Sequence, residues 1–417
     1  MNFPAGRILT DGFPRRTYRP SDSNKLEDLV IKGLHFGQRK LLLSEIEFLT
    51  AYLQHRKVSA RPLLVVYAGA ANGSHLPFLF QLFGAIRFIL IDPAPFCGAV
   101  REISLDTNGP ILELVEGYCT DELCERLLTE HGDVYDIVLV SDIRSGSPAK
   151  QTNKENTAMV MRDNEMQRSW CWSLNAKAAL LKFHPPYPPC RDTASPHYDA
   201  TDDTPEIIEY LDGTRLFGVW APKSSSELRL CVQGPFERGS SAALRQYDCT
   251  EHEEQCYFYN TDNRYARDCN AEKDILTRYL LAYPSDRWSG PEALSKEISV
   301  FLRFPLFLPL DPSFTENNAR WVTLLYSTRD SSSLQLFSKL RCELTYEAML
   351  GLVKEWSSAT TIPVGVKIGG IELTADFWKA VVTGDLGEAY SFPTIRWRFS
   401  RHFFLGKRGR TLAQQSV

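Results

Sequence analysis

The stretch Val65-Val66-Tyr67-Ala68-Gly69-Ala70-Ala71-Asn72-Gly73-Ser74-His75, with Ile89-Leu90-Ile91-Asp92 after it, decides the fold. The first segment reads as an apolar strand entering a glycine turn, the second as a strand ending on an acid. A helix through about Phe83 fits between them. This is the unit with which α/β domains hold an adenosine-containing cofactor. Gly69 and Gly73 let the backbone approach a ligand with no Cβ in the way. Asp92 lies 23 residues after Gly69, near the ~20 expected of an acid that bonds ribose hydroxyls.

Strand–helix alternation continues outward from this unit. Apolar residues at 41, 42, 46, 48, 49 and 53 predict a helix from Leu34 to about Leu53, with Lys40 near its first turn. Ile111–Val115 reads as a short strand and Asp121–Glu130 as a helix with Asp121 near its cap. Asp136–Val140 is the kind of strand buried in a parallel sheet. Ser145–Thr157, rich in Gly, Ser, Asn and Lys, predicts a loop, and Glu165–Ala179 a helix running into strand Ala179–Phe183. Pro185–Pro205 is irregular, and Leu228–Gln233 is the next strand. The expected fold is α/β with a doubly wound, mostly parallel sheet. Pro284-Ser285-Asp286 and Ser289-Gly290-Pro291 mark a boundary. The expected organisation is therefore a basic arm over 1–30, the α/β domain over 31–285 and a carboxyl-terminal extension over 286–417.

At 417 residues, 43% hydrophobic and 12% aromatic, the chain can bury a sizeable core. No apolar run reaches the ~18–20 residues that span a bilayer. The amino terminus lacks the apolar core of a signal peptide. Ten cysteines without a Cys-x-x-Cys agree with a reducing compartment. A soluble intracellular protein is expected. A net charge of −4 gives no whole-protein attraction to nucleic acid, so RNA contact would need local patches. Residues 1–40 hold eight Lys/Arg against four Asp/Glu, interleaved with Phe3, Phe13, Tyr18 and Phe36. Arg396, Arg398, Arg401, Lys407, Arg408 and Arg410 form a second basic cluster. Solvated tails are the alternative reading of both.

Four charged residues sit at element ends: Lys40, Asp142, Lys182 and Glu227. Asp142 follows a buried strand at the carboxyl edge, where open α/β sheets place ligands. A helix cap is the other reading of it. Lys182, ending Ala178-Ala179-Leu180-Leu181-Lys182-Phe183, needs solvent or a partner. Glu227 opens its strand and could equally be solvated. The G-x-x-x-G turn lacks the third glycine that a pyrophosphate needs, so S-adenosylmethionine fits better than a nicotinamide dinucleotide. Cys249-x-x-His252-x-x-x-Cys256, with Cys269 downstream, does not have the spacing of zinc finger or ribbon frameworks. No metal is expected.

Gly37-Gln38-Arg39-Lys40-Leu41-Leu42-Leu43-Ser44-Glu45 resembles the opening of poxvirus-type cap-specific mRNA 2′-O-methyltransferases. In the same order follow Tyr67–His75, Leu90-Ile91-Asp92, Val140-Ser141-Asp142-Ile143-Arg144-Ser145, Leu181-Lys182 and Ala221-Pro222-x-x-x-x-Glu227-Leu228-Arg229-Leu230. Kinetoplastid methyltransferases of the spliced-leader cap (cap 2 type) look like the same group. The match runs from about residue 30 to 285 and reaches nothing in the last ~130.

The resemblance implies a Rossmann-like S-adenosylmethionine-dependent methyltransferase that acts on capped mRNA or spliced-leader RNA, with a nuclear location. Lys40, Asp142, Lys182 and Glu227 would be the catalytic tetrad, with Lys182 as base. Gln38, Gly69, Ala71, Gly73, His75, Asp92 and Ile143 would line the cofactor, although the family arginine two residues after the cofactor aspartate is Ala94 here. Tyr187 and Tyr18 would stack on the cap guanine, where a cationic 7-methylguanine suits an aromatic cage. Glu253 would accept from the guanine edge, and the second cap-pocket carboxylate is Pro189 here. Poxvirus members also serve a poly(A) polymerase as a subunit, a role to which none of the matched residues belongs. Two rivals differ in class: a non-catalytic cap-binding or scaffold protein, against which the intact tetrad argues, and a nicotinamide-dependent oxidoreductase.

Overall fold

The computed structural model describes residues 1–17, 36–56, 61–146, 152–190, 200–222, 225–236, 243–302, 304, 307–316, 319 and two short strands at 366–368 and 371–373. The chain divides into two compact units, Met1–Tyr18 with Phe36–Asp286, and Arg19–His35 with Arg287–Val417. No helix among the described residues is long and apolar enough to cross a membrane.

In the first unit, β1 (Leu63–Ala68), β2 (Arg87–Ile91), β3 (Ile111–Val115), β4 (Asp136–Ser141) and β5 (Ala178–Phe183) pair in parallel. β7 (Thr214–Phe217) and β8 (Leu228–Gln233) complete the sheet in the order β3-β2-β1-β4-β5-β8-β7, with β8 antiparallel to both its neighbours. All six residues of β1 are buried, as a central strand covered on both faces requires. The sheet is α/β and doubly wound. Strand order runs one way from β1 through β2 to β3 and the other way through β4 to β5. The reversal between β1 and β4 opens a crevice at their carboxyl ends.

Helices α1 (Gly37–His55), α2 (Leu76–Leu82), α3 (Gly98–Ile103), α4 (Asp121–His131) and α5 (Asn153–Ser173) connect and cover the parallel strands. α6 (Cys249–Thr261) and α7 (Arg264–Ala282) follow a separate antiparallel pair, β6 (Ile207–Leu211) with β9 (Leu244–Asp248). Trp170 and Cys171 of α5, with Leu174 just after it, join Leu139, Ala179 and Leu181 of the sheet in one buried cluster. The amino-terminal segment lies along β7, where Ile8 bridges Leu216 and the Leu9 N–H donates to the Arg215 carbonyl at 2.8 Å. Within the second unit the described elements are α8 (Pro291–Phe301) and an antiparallel pair, β10 (Val366–Ile368) with β11 (Ile371–Leu373).

One expected loop is half helix. α5 starts at Asn153 rather than Glu165, because Thr152 and Glu155 form a reciprocal capping box inside the stretch read as a loop. The helix also ends earlier, at Ser173, and Asn175 then takes φ +44°. Its buried face mixes Asn156, Asp163, Asn164 and Gln167 with Met159, Val160, Trp170 and Cys171, so polar residues interrupt the apolar period.

Candidate active site

At the crevice, Gly69 turns the chain out of β1 with φ +81°. A Cβ there would lie 2.8 Å from the Asp142 carbonyl carbon and 2.9 Å from the Ile143 nitrogen. Only glycine lets the β1 and β4 turns approach this closely. Gly73 also takes a positive φ, +69°. Asp92, at the end of β2, accepts the Ala71 N–H at 3.0 Å and the Ala94 N–H at 2.7 Å, one on each oxygen. A carboxylate oxygen has a second lone pair, so Asp92 shapes the turn and keeps capacity for a pair of ribose hydroxyls. These features fit an adenosine-bearing cofactor. Gln38 Oε1 accepts from the Ser74 hydroxyl at 2.9 Å and lies 2.8 Å from His75 Nδ1. His75 is buried, and its Nε2 meets Glu45 Oε1 at 2.9 Å. Its ring is thus engaged on both sides, and it braces Gln38 from within. Ile143 packs half-buried on the core.

Beside this turn the four charged residues converge. Lys40, in the first turn of α1, places Nζ 2.6 Å from Glu227 Oε1. Lys182 Nζ sits 3.2 Å from both Asp142 Oδ1 and Glu227 Oε2. Antiparallel pairing explains how Glu227 arrives: β8 begins where β5 ends, with Phe183 opposite Leu228. A fifth charge belongs to the group. Arg229 Nη2 lies 2.6 Å from Asp142 Oδ1 and 3.2 Å from Glu227 Oε1, and its Nη1 donates to the Ser141 carbonyl at 3.4 Å. Sequence reading gave Arg229 no role of its own. The signal was an arginine inside the buried run Leu228–Val232, where a charge requires partners.

Three cations and two carboxylates thus share one largely buried cluster. Burial lowers the Lys40 pKa against the opposing pull of Glu227. Burial alone would raise both carboxyls. For Asp142 the Lys182 and Arg229 charges outweigh it, and for Glu227 the Lys40, Lys182 and Arg229 charges do. Both acids are held below the usual carboxylate range.

α5 fastens the loops around the cluster. Gln167 donates to the Lys182 carbonyl at 3.0 Å and Asn164 to the His184 carbonyl at 3.4 Å. Asp163 accepts the Ser145 N–H at 3.0 Å and the Ser145 hydroxyl at 2.5 Å, and Arg144 approaches it at 3.5 Å.

After β5, Tyr187 is half-buried, with its ring tilted by 30° to that of His184 at a 5.3 Å centroid distance. Burial raises its phenol pKa, opposed by the Ser226 hydroxyl and reinforced by Glu253. Glu253, on α6, is itself pushed up to about 7 by burial and the neighbouring Glu254 charge. Tyr187 and Glu253 therefore share one environment. Tyr18 lies outside the described residues, but Thr17 beside it donates to Glu254 Oε1 at 2.8 Å. Arg15 and Arg16 of the arm face the acids Glu254 and Asp262, and the carboxyl-terminal basic cluster lies outside the described residues. The side chains of Cys249, His252 and Cys256 each meet a backbone carbonyl, at Pro205 for the first and Ser226 for the other two. His252 and Cys256 thereby hold the segment that presents Glu227.

A family model described as "Poly A polymerase regulatory subunit" matches residues 18–287, well over half of the chain. The protein of Myxoma virus (strain Lausanne) named "Cap-specific mRNA (nucleoside-2'-O-)-methyltransferase" is 28% identical over 253 residues, covering 58% of this chain and 65% of that protein. The Fowlpox virus (strain NVSL) protein of the same name is 27% identical over 252 residues, covering 58% of this chain and 73% of that one. The chain thus spans just under two thirds of the length of its Myxoma relative.

Proposed function

Since the chain belongs to the family described as poly(A) polymerase regulatory subunit, and since poxvirus proteins similar to it are named cap-specific methyltransferases, we propose that it 2′-O-methylates a cap-proximal ribose of capped RNA. S-adenosylmethionine is the proposed donor, and when bound it supplies a methyl group already activated on a sulfonium. The observation that carries the reading is the contact of Lys182 with both Asp142 and Glu227 beside the Gly69–Asp92 turn.

A ribose hydroxyl is a poor nucleophile until its proton is held or removed. To act as a base, Lys182 first gives up one proton to solvent, and its amine then has two N–H donors and one lone pair. Asp142 and Glu227, each 3.2 Å from Lys182 Nζ, hold the amine in place, and its lone pair meets the hydroxyl. Lys182 takes the 2′ proton as the oxygen gains its methyl group. Arg229 keeps both carboxylates charged and in place, and Lys40 fixes Glu227 through Oε1, the oxygen Arg229 also meets. Asp92 holds the cofactor ribose. Tyr187 and Glu253, with Tyr18, hold the cap guanine.

The test maps methyl transfer from S-adenosylmethionine onto defined capped RNAs, nucleotide by nucleotide. Methylation at one ribose near the cap is the expected result. Cap binding with no transfer to any position would leave a cap-binding protein on a methyltransferase fold.

A further inference from the structure

Glu272 of α7 is wholly buried and lies outside the charged cluster of Lys40, Asp142, Lys182, Glu227 and Arg229. Its carboxylate takes the Arg39 guanidinium on both oxygens, through Nε at 2.9 Å and through Nη2. Oε2 also accepts the Trp220 indole N–H at 2.7 Å. One turn earlier on the same helix face, Asp268 accepts the Trp220 backbone N–H at 3.2 Å. Another turn back, Arg264 pairs with Asp268 at 3.4 Å and donates to the Ala221 carbonyl. Residues 264, 268 and 272 thus grip one short piece of chain.

That piece carries backbone strain. Trp220 sits at φ +59°, a left-handed conformation that a bulky side chain keeps only where its surroundings impose it. Its carbonyl accepts the Phe36 N–H at 3.2 Å, and the Phe36 carbonyl accepts the Lys40 N–H at 2.8 Å. Two residues before Trp220, a Cβ on Gly218 would lie 3.3 Å from Lys40 Cδ. One carboxylate therefore anchors Arg39, the neighbour of Lys40, and also the turn that leads to Glu227.

We propose that Glu272, acting through Arg39 and Trp220, is a positioning residue that sets the contact between Lys40 and Glu227. Those two side chains come from segments far apart in sequence and meet at 2.6 Å. Small displacements of catalytic groups are costly to rate. The proposal rests on the methyl-transfer reading only for its kinetic readout.

The experiment compares two double variants of the full chain. Arg39→Met/Glu272→Met replaces the buried ion pair by apolar side chains, a change many folds accept without loss, and removes the acceptor of the Trp220 indole. Arg39→Met/Glu272→Gln keeps a carbonyl acceptor there. The first should lose about tenfold or more in kcat, with KM and the affinities for S-adenosylhomocysteine and capped RNA unchanged. The second should recover only the part of the rate that runs through Trp220. Lysine-selective NMR should show the Lys40 ammonium signal, sheltered by Glu227, lost in the first variant and partly restored in the second. Equal rates and equal Lys40 signals in wild type and both variants overturn the proposal. If the wild type transfers no methyl group, the functional reading fails and the NMR comparison alone decides the positioning role. Where the Met/Met variant does not fold, Trp220→Phe deletes only the indole donor and carries the same expectation, and an unchanged rate and Lys40 signal overturn it.

Discussion

Lys182 and Arg229 stand directly opposite each other on antiparallel β5 and β8, and both reach Asp142 Oδ1, at 3.2 Å and 2.6 Å. Like charges in cross-strand register repel. Asp142 and Glu227 between them turn the repulsion into a bridged network. A guanidinium does not give up its proton, so the lysine is the member of this facing pair that can exchange one.

Replacing Lys182 by Ala should lower methyl transfer by about 10²-fold or more, the effect of losing a general base. Binding of S-adenosylhomocysteine, read by calorimetry, should be unchanged. Lys182→Arg should do nearly as badly, since it stays protonated. Substantial turnover by either variant would move the base elsewhere, with Lys40 the next group to test.

Arg229→Met should destabilise the fold by about 3 kcal/mol at pH 7, because it leaves two largely buried carboxylates short of a cation. The pH dependence should change as well. Both acids are depressed in the fold, so their contribution is present above the unfolded values of about 4 and is lost as pH falls through the folded ones. Urea unfolding at pH 7 and at pH 3 should show the variant's deficit shrinking in acid. A deficit independent of pH would mean that Arg229 acts by packing alone.

Asp92→Ala should weaken S-adenosylmethionine and S-adenosylhomocysteine alike, since both present the same ribose hydroxyls. It also frees the Ala71 and Ala94 amides from their acceptor. Calorimetry that found both affinities intact would leave Asp92 a purely structural role.

Glu253, raised to about 7, should make cap binding pH-dependent. Its carboxylate accepts from the guanine edge above that value, and affinity for capped RNA should fall as pH drops below it. Stability runs the other way. The unfolded acid ionises near 4.3, so stability declines as pH rises from there to about 7 and stays lower beyond. Glu253→Gln should therefore be the more stable protein at pH 8, equal to wild type at pH 4, and poor at binding capped RNA throughout. A capped-RNA titration that is flat between pH 6 and 8 in the wild type would count against the assignment.

Strands β1, β2 and β4 were legible because each holds an unbroken apolar run followed by a residue of distinct chemistry, Gly69, Asp92 and Asp142. The start of α5 was not, since Asn156, Asp163, Asn164 and Gln167 share its buried face with Met159 and Val160, and polarity there looks like a loop. β6 and β9 alternate toward solvent at Ile207, Glu209 and Leu244 and carry too weak a period to stand out. Lys40, Asp142, Lys182 and Glu227 could be named from their places at element ends. Arg229 could not, because its role exists only once β8 lies antiparallel to β5. The basic composition of the arm was misleading in one respect: Arg15 and Arg16 are turned to Glu254 and Asp262.

The fastening of two loops by α5 has a geometric result. Gln167 holds the carbonyl of Lys182, and Asn164 that of His184, three residues before Tyr187. One helix thus acts as a caliper, with the proposed proton acceptor on one jaw and the proposed guanine grip on the other. Its opening is set by rigid backbone and not by the transcript. In an enzyme built this way, which nucleotide is reached depends on how many fit between the jaws, whatever their bases.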